Sequence, residues 1–161
     1  TSSIAPAPIV NTTATLSFLP NQISASKTNA TQLKAAIWID TGGSEVSGVQ
    51  VGLEYDPQIL QNVKFVPDSK NRLFVLNQNA SELLNEIDPK SGTLTYAVGI
   101  LPDSKSINGQ GMIGTLEFAV NPQTTQSNTT IAFSPETLVT SLKETESILK
   151  KVDPLKISIT N

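Results

Sequence analysis

Cysteine and histidine are both absent from this 161-residue chain, and arginine occurs once, at Arg72. Without cysteine there is no disulfide framework, no thiolate metal site and no cysteine nucleophile. Without histidine the commonest general base and the commonest zinc ligand disappear together, and a Ser-His-Asp triad is impossible. Charged residues make up only 16% of the chain and the net charge is -3. Nucleic-acid binders need clustered lysine and arginine, so the balance argues against that class. Aromatic residues are 5% of the total, which is sparse for a strip of rings stacking on polysaccharide. No apolar run approaches the ~20 residues that a membrane-spanning helix requires, and no signal peptide is visible.

What is present is neutral polarity. Serine, threonine, asparagine and glutamine take the place of charge, as suits an exported protein. At 17.1 kDa the chain is long enough for one domain with a substantial core. Residues 1–13 (TSSIAPAPIVNTT) are rich in proline, alanine, serine and threonine and read as the end of an extended linker. The folded domain is therefore expected over 14–161, as one module of a longer chain. The lack of cysteine favours a bacterial or archaeal surface protein, or a cytosolic one, over a secreted animal domain.

Residues 41–57 (TGGSEVSGVQVGLEYDP) hold a turn, a strand and a stop in one piece. Val49, Val51, Leu53 and Tyr55 alternate with Gln50, Gly52 and Glu54, the period of two that marks a strand with one buried and one wet face. Gly42 and Gly43 open the turn. Asp56-Pro57 closes the strand, because proline cannot donate to the ladder. The outward row, Gly48, Gln50, Gly52 and Glu54, is small or polar. It would leave a flat sheet face, which suits docking better than catalysis.

Similar short runs follow throughout. Strands are expected at 14–19, 22–26, 32–40, 49–55, 60–66, 83–88, 93–100, 112–120, 129–134, 137–142, 147–152 and 155–160. Residues 83–100 form a hairpin across Pro89-Lys90-Ser91-Gly92. Many short strands between glycine, proline and asparagine turns mean a sandwich or barrel. Helix signals are poor: residues 79–85 (NASELLN) offer a cap and at most one helical turn. Residues 143–151 are read as a turn plus strand.

These pieces together resemble the cohesin domain. The resemblance is carried by ATLSFLPNQISAS, by TGGSEVSGVQVGLEYDPQILQNVKFVP, by the hairpin LLNEIDPKSGTLTYAVGI, and by GQGMIGTLEFAV with TTIAFS. It spans about 14–160. It implies an all-β, nine-stranded jelly-roll sandwich, related to carbohydrate-binding-module sandwiches. It also implies a non-catalytic module that binds a dockerin through one sheet face, with any calcium on the dockerin. In that family the docking sheet is built from the third, fifth, sixth and eighth strands. Carried onto this chain, these are 48–55, 83–88, 93–100 and 112–120. The implied partner-facing residues are Gly48, Gln50, Gly52 and Glu54; Thr93, Thr95, Ala97 and Gly99; and Ile113, Thr115 and Glu117. The apolar residues of 83–88 do not alternate cleanly, so its outward face stays open. Family members of the first cellulosomal type carry an asparagine and an aspartate where this chain has Gly48 and Gln50. That removes a carboxylate and one whole side chain, which bears on the choice of dockerin and not on the fold.

Other chemistry is weaker. Glycosidases need two placed carboxylates. The candidates Glu45 with Glu54, and Glu82 with Glu86 and Asp88, read better as solvated strand ends. The runs starting at Asp68 and Asp103 begin like calcium loops, but each contains a lysine and lacks a closing glutamate. Tyr55 and Tyr96 share the alternation of the core, leaving Trp38, near an edge or under a loop, as the one ring able to meet a sugar. Sequons at Asn11, Asn29, Asn79 and Asn128 are read as turn chemistry. The alternatives to a dockerin binder are a carbohydrate-binding module of similar fold and a structural spacer of a surface protein.

Overall fold

The computed structural model describes residues 4–6, 10–29, 31–68, 80–101 and 105–161. Two sheets pack face to face. One has five strands in the order β11 (Leu149–Val152), β1 (Ala14–Leu19), β3 (Leu33–Asp40), β8 (Gln110–Val120) and β5 (Leu60–Pro67). The other has seven. Its path runs β2 (Gln22–Ser26), β12 (Leu155–Thr160), β9 (Asn128–Phe133), β4 (Gly48–Glu54), β7 (Thr93–Ile100) and β6 (Ala80–Asp88), and β10 (Leu138–Thr140) also pairs with β4. No helix occurs among the described residues.

The fold is the all-β sandwich expected, with twelve strands among the described residues rather than nine. The excess has a local cause. Pro20 and Pro154 interrupt the ladder, so β1 and β2, and β11 and β12, are separate strands on opposite sheets. Likewise β9 and β10 both pair with β4 but are parted by residues 134–137. The expected helical turn at 79–85 is not found: Asn79 lies outside the described residues, and 80–88 form β6 against β7. Cross-strand pairing overrides the local capping signal.

Alternation decides the core. Leu16 and Phe18 of β1, Ile37 and Ile39 of β3, and Leu116 and Phe118 of β8 are all almost completely buried. From the other sheet Val49, Val51 and Leu53 of β4, Leu94 and Tyr96 of β7, and Ile131 of β9 meet them. Each such burial is worth about 1.5–3 kcal/mol before entropy is counted. Two ring contacts pack within this core: Phe18 on Phe133 at 4.9 Å and Phe65 on Tyr96 at 4.4 Å. Tyr55 and Tyr96 are buried, as their alternation requires. Trp38 does point away from the core, but not at an edge: β3 lies between β1 and β8, and Trp38 sits half-buried between Ser17 and Met112.

Turns seat as their residues dictate. Gly42 and Gly43 have φ of 62° and 84°. Gly42 is also pressed on the Thr13 carbonyl, where any Cβ would collide. Asp56 closes β4 by accepting the Gln58 N–H at 2.8 Å. Asp88 shapes the β6–β7 hairpin by accepting the N–H groups of Lys90 and Ser91 at 3.0 and 3.3 Å.

Candidate docking face

The register of β10, β4, β7 and β6 lays the outward side chains in rows. Residues paired across an antiparallel ladder share a face and lie about 4.5–5.5 Å apart. One row reads Thr140, Gly48, Gly99 and Ser81. The next reads Leu138, Gln50, Ala97 and Leu84. A third holds Gly52, Thr95 and Glu86, and a fourth Ala132, Glu54, Thr93 and Asp88. Eight of the residues implied by the resemblance therefore lie together on β4 and β7.

The remaining three do not. Ile113, Thr115 and Glu117 belong to β8, which lies in the opposite sheet between β3 and β5. Ile113 is buried in the core, and Glu117 faces out there, held by Lys34 at 2.7 Å and Lys64 at 2.9 Å. The reason is a count. With β4, β6 and β7 taken as third, fifth and sixth, β8 becomes the seventh strand, and the eighth is β9 with β10.

The flat platform expected at Gly48 and Gly52 is also corrected. Both glycines are buried. Residues 134–137 form a strap beside β4, and a Cβ on Gly52 would collide with Ser134 Oγ. A Cβ on Gly48 would meet Thr140 Oγ1 at 2.9 Å. The strap is fixed by hydrogen bonds. Thr137 Oγ1 receives the Gly52 N–H at 3.1 Å and donates to the Gly52 carbonyl at 2.9 Å. Gln50 Nε2 donates to the Glu136 carbonyl at 2.9 Å. The glycines thus admit the molecule's own strap, and the accessible surface is made by its neighbours.

The face of β6 left open by the sequence is settled by a bulge between Glu82 and Leu84. It lifts Leu83 out, 68% exposed, beside Gly99. Beyond the bulge Leu84, Glu86 and Asp88 face outward, opposite Ala97, Thr95 and Thr93. Asn85 faces inward and donates to the Phe65 carbonyl at 3.4 Å. Alternation-based reading missed Leu83, Leu84, Leu138 and Glu86 as face residues. The adjacent Leu83-Leu84 pair, which breaks period two, was the one signal of a bulge.

Electrostatics distinguish the two outward faces. On the five-stranded sheet the two lysines, Lys34 first, hold the Glu117 carboxyl below its ordinary value. Asp88 is also lowered, chiefly by the Ser91 hydroxyl and the turn N–H groups. Burial, with Glu82 nearby, raises the Tyr96 phenol to about 12. Glu45, one of the acid-base candidates, is paired with Lys143 at 2.9 Å. No group of three or more acidic side chains among the described residues is arranged to hold a metal.

No protein-family model matches the sequence, and no curated protein matches it. Solved structures do. CaCohA2 from Clostridium acetobutylicum superposes with a TM-score of 0.67 at 20% identity, covering 93% of this chain and 92% of that one. A type I cohesin–dockerin complex from Clostridium thermocellum gives 0.63 at 13%, over 92% and 99%. The non-cellulosomal cohesin of the archaeon Archaeoglobus fulgidus gives 0.60 at 10%, over 92% of each chain. The chain has the cohesin fold. Within it, β10, β4, β7 and β6 present one continuous outward surface, whereas the opposite sheet neutralises its own central carboxylate.

Proposed function

We propose that this chain is a non-catalytic, dockerin-binding module of an exported or cell-surface protein of a bacterium or archaeon. Residues 1–13 would be its linker. Calcium, where required, belongs to the partner. The reading is supported by the cohesin fold, which in the Clostridium thermocellum structure is found with a dockerin. The observation that carries it is the outward surface of β10, β4, β7 and β6: four paired strands present one continuous face whose carboxylates at one end have no cation among the described residues. Gln50, Glu54, Thr93, Thr95 and Gly99 supply contact, around the buried Ala97. Gly48 and Gly52 act beneath it, by seating Thr140 and the strap.

Gln50→Arg tests the reading. The change removes the hydrogen bond to the Glu136 carbonyl, which costs about 1 kcal/mol of fold stability. Against a docked helix the same arginine adds bulk and a buried unpaired charge, worth about 2–5 kcal/mol of binding. Thermal melts and titrations against a panel of calcium-loaded dockerins measure both. A dockerin that binds the unaltered chain is expected to lose Gln50→Arg. Equal binding by both would remove this face as the interface.

A further inference from the structure

The docking face is polarised along its strands. At the Gly48 end its rows are uncharged and carry its apolar area: Leu83 is 68% exposed and Leu84 and Leu138 are half-buried, around Gly99 and the buried Ala97, with the hydroxyls of Thr140 and Ser81 at the margin. Leu101 and Leu142, 57% and 64% exposed, follow β7 and β10 at that same end. Three of the six exposed large apolar side chains of the described residues thus gather there. At the other end Glu54, Glu86 and Asp88 are all exposed, and Glu136 of the strap stands beside Gly52. The ion pairs between described residues lie elsewhere: Lys34 and Lys64 take Glu117, Lys143 takes Glu45, and Lys151 takes Asp153. Lys90, in the β6–β7 turn, bridges none of these carboxylates. Charge is therefore matched at the apolar end, by Lys143 with Glu45, and unmatched at the acidic end.

We infer that the partner is a helix-bearing dockerin whose contact surface is apolar at one end and carries lysine or arginine at the other, seated in one orientation by that gradient. This rests on the dockerin-binding reading of the same face. The physical reason is desolvation. A docked surface removes water from Glu54 and Glu86, and carboxylates without a cation lose hydration with nothing in return. A partner presenting its apolar end there is rejected. One presenting basic side chains is drawn in, and drawn in faster at low salt.

The test is a surface-displayed dockerin library with the exposed helix positions randomised among Lys, Glu, Ser and Leu, selected on the full chain in low salt. The expected pool is enriched in lysine at one end of the helix only. Its members are lost with Gln50→Arg, and weakened roughly tenfold or more by Glu54→Lys with Glu86→Lys. Glu54→Gln with Glu86→Gln gives a smaller loss in the same direction, and guards against a misfolded charge-reversed variant. Binders that need Gln50 but show no lysine enrichment, and ignore both pairs of changes, overturn the inference and leave the docking face standing. An empty pool, or binders indifferent to Gln50→Arg, overturns the docking reading and the inference with it.

Discussion

On the five-stranded sheet Glu117 lies between two lysines, at 2.7 and 2.9 Å. On the seven-stranded sheet Glu54, Glu86 and Asp88 share one end of the surface and no lysine side chain bridges them. Both surfaces come from the same kind of strand, alternating and mostly neutral. The difference lies in what each does with its charge. Glu117 is only 8% exposed, so it is a largely desolvated carboxylate that must be neutralised within the fold. Glu54 and Glu86 stay in water until something covers them. A charge that is paired internally serves the fold, and one left in solvent is available to a partner. The same contrast holds for apolar area: Leu83 is raised by a bulge, whereas Trp38 is tucked between strands.

The comparison can be pressed first at β4, whose two sides are meant to do different work. Leu53→Ala removes a side chain 1% exposed, and a loss of about 2–5 kcal/mol is expected from lost burial and the cavity left behind. Denaturant melts measure it. If Leu53→Ala is silent and Gln50→Arg unfolds the chain, the assignment of faces is inverted.

The glycines sharpen the difference between core and strap. A Cβ on Gly114 of β8 would collide with the Phe65 ring and lie 2.6 Å from the Val66 carbonyl oxygen, which cannot rotate away. Gly114→Ala is expected to cost about 1–3 kcal/mol. Gly52→Ala meets Ser134 Oγ, the end of a small side chain, with the Ser134 Cβ at 3.4 Å. Its cost should be nearer 1 kcal/mol, with faster hydrogen exchange in residues 134–137. Adding Ser134→Ala should recover most of it. Equal costs at the two glycines, or no recovery, would show that the strap is as rigid as the core.

The smallest effect is expected from Glu117. Its carboxyl is held below its ordinary value of 4.5, so its charged form is favoured in the folded state. The stability this adds is present above pH 4.5 and is lost as pH falls through the depressed folded value. Glu117→Gln should flatten the acid limb of a stability–pH curve below about pH 4.5 and leave neutral pH little changed. An unaltered acid limb would mean that the Lys34–Glu117–Lys64 cluster adds nothing to the fold.

Most of the fold was legible in the sequence, because alternation reports directly on burial. The expected boundaries of β1, β2, β7 and β12 match, and the others differ by one to three residues at an end. Alternation says inside or outside, but not which of two sheets a strand joins. That is why 112–120 was assigned to the docking sheet, although β8 pairs with β3 and β5. The strap was not legible either. The contact between Gly52 and Thr137 spans 85 positions, and nothing local to either residue announces it. At Leu83-Leu84 the irregular pattern was visible, but its resolution into a bulge required the partner strand.

The hydroxyl of Thr137 has one more consequence. On its β9–β10 side β4 is bonded in succession by Phe133 and Ala132, by the Ser134 N–H and a threonine side chain, and by Leu138 to Thr140. The ladder is thus continued across a break in the main chain, and β4 is never an edge. Strand addition, the common way for one chain to recognise another's sheet, is closed at the very place where the sequence is smallest and flattest. A partner can reach β4 only from above, through side chains. Thr137→Val, nearly the same shape, would leave the Gly52 amide without its acceptor, while the Gly52 carbonyl keeps the Ser134 N–H at 2.8 Å, and serine is the natural replacement that retains both bonds.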